Sequence, residues 1–247
     1  RLKAQTSGMS VAMRNTQNSI SMLQTADGAL NEVNNILTRM KDLATQSADG
    51  SSSADDQTAM QSEYNSLTDE LSNIFSNTKF GGTKLLNTDG TSKLSTATGI
   101  TFQIGADSSE TMTANFSAEL TTVNTSISTA TSATYAGDGS LAATPSAGTD
   151  LTTTAGANAA IGNLSTAIDA VSTLRSKLGA VSNRLDHVYN NLSNISSNTQ
   201  AATGRIMDVD FATESSSMTS NQMLMQAGTA MLKQTNSMSS MVMSLLQ

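Results

Sequence analysis

The chain of 247 residues has no cysteine and no tryptophan, a single proline, Pro145, and a single histidine, His187. Each absence excludes something. Without Cys there are no disulfides and no thiolate chemistry, so stability outside a cell must come from packing or assembly. One imidazole can build neither a His-based metal cluster nor a Ser-His-Asp triad, and His187 reads as an exposed side chain on a Ser/Asn-rich helix. Aromatic residues make up only 3% of the chain, few for a compact globule. Long helices packed side by side need no such anchors, because Leu, Ile, Val, Met and Ala fill their seams. Scarce proline points the same way, since proline breaks helix interiors. A net charge of -7 with no Lys/Arg cluster argues against nucleic acid as a partner. No run of 18 or more apolar residues exists, so no membrane span is expected.

What is present is helical periodicity. From Leu2 to Leu43, the residues Met9, Met13, Thr16, Ile20, Leu23, Leu30, Val33, Leu37 and Met40 follow steps of three and four, with one longer step across Ala26-Asp27. Gly50 and the serines after it end this helix, and Asp55 and Asp56 favour the start of the next. Met60, Tyr64, Leu67, Leu71 and Ile74 form its seam, and the short connection makes it antiparallel to the first. The texture then changes. Gly81-Gly82, the turn signal Asp89-Gly90, and the alternation of Ile100, Phe102 and Ile104 predict a small β-hairpin region. Residues 117–156, rich in Thr, Ser, Ala and Gly, read as a short variable surface excursion with a weakly apolar stretch near Leu120 to Ile127. Helical order returns at Ala157, where Ile161, Leu164, Ile168, Val171, Leu174, Leu178, Val181, Leu185, Val188, Leu192 and Ile195 make the most regular seam. Thr203-Gly204 and the acidic pair Asp208 and Asp210 interrupt it. Two carboxylates without further ligands are a poor metal site, and a hinge or helix start is the simpler reading.

The last stretch, Ser215 to Gln247, carries one charged residue, Lys233. Leu224, Gly228, Met231, Thr235, Met238, Val242 and Leu245 recur at steps of four and three and form one stripe, widened by Ala227, Ala230, Met241 and Leu246. Such a stripe requires a partner, since burying each large member is worth roughly 1.5 to 3 kcal/mol. Its many methionines suit core packing and adaptable recognition of more than one partner alike.

The first 21 residues, RLKAQTSGMSVAMRNTQNSIS, followed by QTADGALNEVNNILTRMKDLATQSADG, resemble the start of the filament-core domain of bacterial flagellins. FSNTKFGGTKLL and FQIGADSSETM resemble the segments after the family's second helix. LRSKLGAVSNRLDHVYNNLSN, DVDFATESSSM, QMLMQAGTAMLKQTNSM and the closing MSLLQ are similar to its C-terminal signature. The likeness covers about residues 1–116 and 157–247. The chain begins at Arg1 in mid-pattern, and several tens of residues that precede this point in the family are absent, so it is expected to be an N-terminally truncated piece.

The resemblance implies a mainly α fold: an elongated bundle of three long coiled-coil-like helices with a small β-hairpin region, followed by a separate C-terminal helix. It divides the chain into residues 1–116 and 157–203 of a rod domain, a short variable segment at 117–156, and an inner-tube or assembly helix at 204–247. It also implies a non-catalytic subunit of the extracellular flagellar filament, with no cofactor and no metal. Such a subunit leaves the cell unfolded through the flagellar type III system, helped by a secretion chaperone, and the lack of disulfides and the near-absence of proline suit that passage. Chaperone and polymer neighbours would share Met223, Leu224, Ala227, Met231, Met238, Val242, Leu245 and Leu246. Left alone, Ser215 to Gln247 is expected to be flexible, becoming a continuous helix once covered. Arg39, Leu43 and Glu63 match positions through which flagellins meet the flagellin-sensing Toll-like receptor of animals, while Thr38 departs from the usual Gln. The alternatives are a hook-filament junction protein of the same secretion system and a non-polymerising helical adhesin or immune ligand.

Overall fold

The computed structural model describes residues 1–87, 92–132, 150–207 and 211–245. Its elements are α1 (Leu2–Ser47), α2 (Ala54–Asn77), β1 (Lys79–Phe80), β2 (Thr83–Lys84), β3 (Ile100–Gln103), β4 (Thr111–Ala114), α3 (Ser117–Thr131), α4 (Thr154–Met207) and α5 (Phe211–Leu245). They fall into two compact units, Arg1 with Lys3–Ser197, and Leu2 with Asn198–Gln247.

In the first unit the seam of α1 is continuous. The apparent gap between Leu23 and Leu30 is filled by Ala26, which is fully buried. Thr16 sits in the same seam at 1% exposure because its hydroxyl donates to the Ala12 carbonyl at 2.8 Å, leaving no unpaired polar group. Helix α2 starts with a capping box. The Ser53 hydroxyl accepts from the Asp56 amide at 3.2 Å, and the Asp56 carboxylate accepts from the Ser53 amide at 3.2 Å and hydroxyl at 2.7 Å. These bonds, the hydroxyl's first, hold the Asp56 carboxyl below its ordinary value. The buried face of α2 runs through Tyr64, Thr68, Leu71 and Phe75, while Leu67 and Ile74 pack at its margin.

Residues 117–131 depart from the expected surface excursion. They form helix α3, whose Leu120, Val123, Ile127 and Ala130 are at most 1% exposed, with Phe116 buried just before it. The spacing of three, four and three is helical, and the intervening Thr and Ser disguise it. Several hydroxyls satisfy themselves along the helix, as Thr121 does by donating to the Ser117 carbonyl at 2.8 Å. The core therefore has four helices, where sequence periodicity gives three. Polar bonds link them in a ring: Arg39 of α1 to Glu63 of α2, Tyr64 of α2 to the Ala130 carbonyl of α3, Lys177 of α4 to Glu119 of α3, and Arg175 of α4 to Asp27 of α1.

Helix α4 begins at Thr154, earlier than Ala157, because the Thr153 hydroxyl accepts from the Gly156 amide at 3.1 Å and caps it. Its innermost row is Ala157, Ala160, Leu164, Ala167, Val171, Leu174, Leu178, Val181 and Leu185, strictly alternating three and four. Ile161 and Ile168 flank this row, and Ile195 is exposed while Ser196 is buried, so the seam lies slightly rotated from the one that large residues alone suggest. The expected break at Thr203-Gly204 is absent: α4 runs on to Met207, since one helical Gly costs only about 1 kcal/mol relative to Ala. Asp208 and Asp210 lie outside the described residues.

The hairpins follow their turn chemistry. Gly81 and Gly82, at φ of 56° and 80°, form the two-residue turn joining β1 to β2, with Phe80 opposite Thr83. In the second hairpin Phe102 pairs with Met112, and both face the core. Gly99 precedes it at φ 78°, where an added Cβ would lie 2.7 Å from the Ala114 carbonyl oxygen. No side chain fits there without moving β4.

The upper end of α1 and α2 is closed by buried polar bonds. The Leu151 amide donates to Gln61 Oε1 at 2.6 Å, its carbonyl accepts from Ser47 Oγ at 2.5 Å, and Gln57 Nε2 donates to the Ser47 carbonyl at 3.0 Å. This fixes the chain just after residues 133–149, which the described residues do not include.

In the second unit, α5 is one unbroken helix, where a flexible segment is expected until a partner covers it. The sequence supplies the reason. Ala, Leu, Met, Gln and Lys propagate a helix well, and its hydroxyls turn inward, as Thr219 and Thr235 do to the carbonyls of Ser215 and Met231.

Candidate assembly surface

Along α5 no described side chain is buried. From Thr213 to Ser244 every side chain is exposed except half-buried Ser215. Leu224 and Met231 are each 70% exposed, and Met223, Met238 and Val242 are likewise in solvent. The expected stripe is thus present as a row on one helix, and Ala227 belongs to it. Nothing is described of the Leu245 side chain, and Leu246 lies outside the described residues. A second row runs beside the first. Met218, Met225, Leu232 and Met243 are all exposed and recur at steps of seven, seven and eleven. Each step returns close to the same azimuth, and the row stands about 100° from the first, one residue's rotation. The signal was in the sequence, but a search for one narrow stripe discards it.

Elsewhere, three ion pairs tie helices of the first unit together. In the groove of about 490 Å³ between α1 and α4, lined by Leu23, Asp27, Arg175 and Leu178 among others, Arg175 Nε donates to Asp27 Oδ1 at 2.9 Å. Lys177 Nζ lies 2.5 Å from Glu119 Oε1 and 5.9 Å from the centre of the Phe116 ring. Burial pushes the Glu119 carboxyl up, but the hydrogen bond and charge of Lys177 outweigh it and hold the group below its ordinary value. His187 is exposed on α4, as its surroundings in the sequence suggest. Among the described residues no three His, Asp or Glu side chains come together as a metal site, and no helix is long and apolar enough to cross a membrane.

Of the three receptor candidates the structure brings two together on the surface. Arg39 and Glu63, about half exposed, form an ion pair with Nη2 2.7 Å and Nε 2.9 Å from Glu63 Oε1. Leu43 is different. At 2% exposure it belongs to the hydrophobic core, so its expected place at a receptor surface is corrected: its side chain packs inward, one turn beyond Arg39. Arg39 and Leu43 lie one turn apart on α1, and the roughly 40° of rotation between them turns Leu43 into the core, while Glu63 meets Arg39 from α2.

A four-helix core in one unit and a long helix with two apolar rows in water in the other have the make-up of a helical structural protein. The comparisons agree on which. Residues 1–91 match the family described as the bacterial flagellin N-terminal helical region, and residues 161–246 its C-terminal helical region. The flagellin of Halalkalibacterium halodurans is 36% identical over 248 residues, covering all of this chain and 82% of that protein. The flagellin of Bacillus subtilis is 39% identical over 264 residues, covering all of this chain and 84% of that protein. The crystal structure of Bacillus cereus flagellin superimposes with a TM-score of 0.54 at 34% identity, over 77% of this chain and 94% of that one. A Vibrio parahaemolyticus chain described as flagellar hook-associated shares the fold alone, with a TM-score of 0.58 at 17% identity over 83% of this chain and 93% of that one. The chain belongs to the bacterial flagellins, the structural proteins of the extracellular flagellar filament.

Proposed function

We propose that the chain is a non-catalytic subunit of an open helical polymer and that α5 is its assembly surface. The observation that carries this is the exposure of Leu224, Met231, Met238 and Val242 on a helix with a single charged side chain between Ser215 and Leu245, Lys233. A monomer gains nothing by presenting such a face to water, whereas a contact repeated by a rotation and rise that do not close recovers its burial in every subunit. The first unit, with α3 as part of its core, serves as the rod domain that sets the spacing, and the second unit, Leu2 with Asn198–Gln247, carries the assembly helix. Before export through the flagellar type III route, a secretion chaperone covers the same apolar rows, and methionine's flexible thioether suits a surface that must fit two partners in turn. The 36% and 39% identity to flagellins, against 17% to a hook-associated chain, favours the filament over the hook junction. The exposed Arg39–Glu63 pair is the proposed contact for the animal Toll-like receptor, with Leu43 supporting it from the core.

Growth of filament seeds supplied with purified subunit, followed by electron microscopy, tests the assembly reading. The wild-type chain elongates seeds, and Met231→Asp slows elongation at least tenfold, because a carboxylate cannot be buried unpaired. The thermal unfolding of the first unit stays unchanged. A wild-type chain that never adds to seeds would instead mark a non-polymerising helical ligand.

A further inference from the structure

We propose that the methionines of α5 are modification sites: peroxide-class oxidants convert them to sulfoxides in the free subunit, and this reversibly stops the subunit from assembling. The inference rests on the assembly reading of α5 given above.

The fourteen methionines divide sharply by place. Met9, Met22, Met40, Met60 and Met112 are buried in the first unit, none more than 9% exposed, and Met13 is half-buried beside Met9. Eight others, all between Met207 and Met243, are 57% to 73% exposed. Thioether oxidation requires an oxidant to reach the sulfur lone pair, so accessibility orders the reaction. The step is an oxygen-atom transfer. The sulfur of Met231 attacks one oxygen of hydrogen peroxide, the O–O bond breaks, the transferred oxygen gives up its proton as the S=O bond forms, and the departing hydroxide takes up a proton and leaves as water. Sulfur loses two electrons and peroxide gains them, and no Cys in the chain competes for the oxidant.

The product changes what α5 is. Each sulfoxide replaces an apolar, adaptable group by a polar, chiral one. Met231 and Met238 lie in the first row beside Leu224 and Val242, while Met218, Met225 and Met243 make up most of the second. Oxidation therefore removes the apolar character of both rows, while the buried methionines that hold the first unit together remain intact. Enzymatic reduction of the sulfoxide restores the thioether, so the change is a switch rather than damage. A subunit already in a filament has the same sulfurs covered and is resistant.

The experiment treats the full chain with dilute hydrogen peroxide, maps sulfoxides by peptide mass spectrometry, and measures seeded elongation before and after methionine sulfoxide reductases A and B with dithiothreitol. Sulfoxide is expected to accumulate between Met207 and Met243 at least fivefold faster than at the five buried methionines. Elongation should fall about tenfold and return after reduction. A variant with Met→Leu at 218, 225, 231, 238 and 243, compared with its own untreated rate, should lose a much smaller fraction of that rate to peroxide than the wild-type chain does. Uniform oxidation across the fourteen sites would overturn the proposal, as would selective oxidation with undiminished elongation. Failure of the untreated chain to elongate seeds would overturn the assembly reading beneath it, so the two failures are distinct.

Discussion

Removing Met231 to Gln247 is expected to abolish filament formation while leaving the first unit folded. The segment carries Met231, Met238 and Val242 of one apolar row and Leu232 and Met243 of the other. Large side chains of this kind are worth roughly 1.5 to 3 kcal/mol each when covered, so five of them outweigh any single contact elsewhere. None of these five side chains belongs to the core of the first unit, which is the cluster between Ile20 and Leu185 and a smaller one of Met9, Ala12 and Leu192. Truncating a fully buried residue such as Leu174 to Ala would cost about 2–5 kcal/mol of folding stability, whereas the described side chains that the deletion removes, Met231 to Ser244, are already in water. Circular dichroism should therefore show a shortened helical protein with an unchanged cooperative melt. Electron microscopy should show no filaments. Normal filaments from the truncated chain would refute the role given to α5.

The second large effect is on immune recognition. Monomer carrying Arg39→Ala or Glu63→Ala should lose at least tenfold in potency on reporter cells expressing the flagellin-sensing Toll-like receptor. A charged side chain buried against a partner costs about 2–5 kcal/mol when its counterpart is removed. Folding is barely touched by either change, because an ion pair with side chains 53% and 46% exposed contributes at most about 1 kcal/mol. Leu43→Ala behaves differently. With its side chain at 2% exposure, the loss falls on the stability of the α1 packing first, and potency should drop in step with folding stability rather than ahead of it. Unchanged potency in both charge variants would remove this surface from the receptor contact.

Much of this architecture is legible in the residues. The seams of α1 and α4, the antiparallel α1–α2 pair, the β1–β2 turn and the β3 alternation all follow from periodicity and glycine placement. What escaped did so for physical reasons. Ala26 and the alanines of α4 are too small to register as apolar anchors, yet small residues occupy the innermost positions there. Helix α3 hides its apolar spacing among Thr and Ser, which read as loop because their hydroxyls compete for the backbone in water. Inside the helix those hydroxyls bond to the preceding turn and the objection disappears. Gln61 and Tyr64 hold the backbone of Leu151 and Ala130 across separations of 90 and 66 residues, a pairing no local pattern reveals. At α5 the sequence displays the first row plainly and the second only when Met218, Met225, Leu232 and Met243 are placed on the helix together. Leu43 shows the opposite failure: a motif matched by position carried the wrong direction of the side chain.

Hydrogen exchange along α5, measured on the free subunit and on the assembled filament, bears most directly on whether this helix is an assembly surface. From Thr213 to Ser244 no side chain of α5 is buried, so this stretch is held chiefly by its own backbone bonds and opens at little cost. Its amides from Met218 to Ser244 should therefore exchange close to the rates of an unprotected chain in the monomer, and be slowed by orders of magnitude in the filament. Strong protection of the free subunit, or equal exchange in both states, would contradict the account.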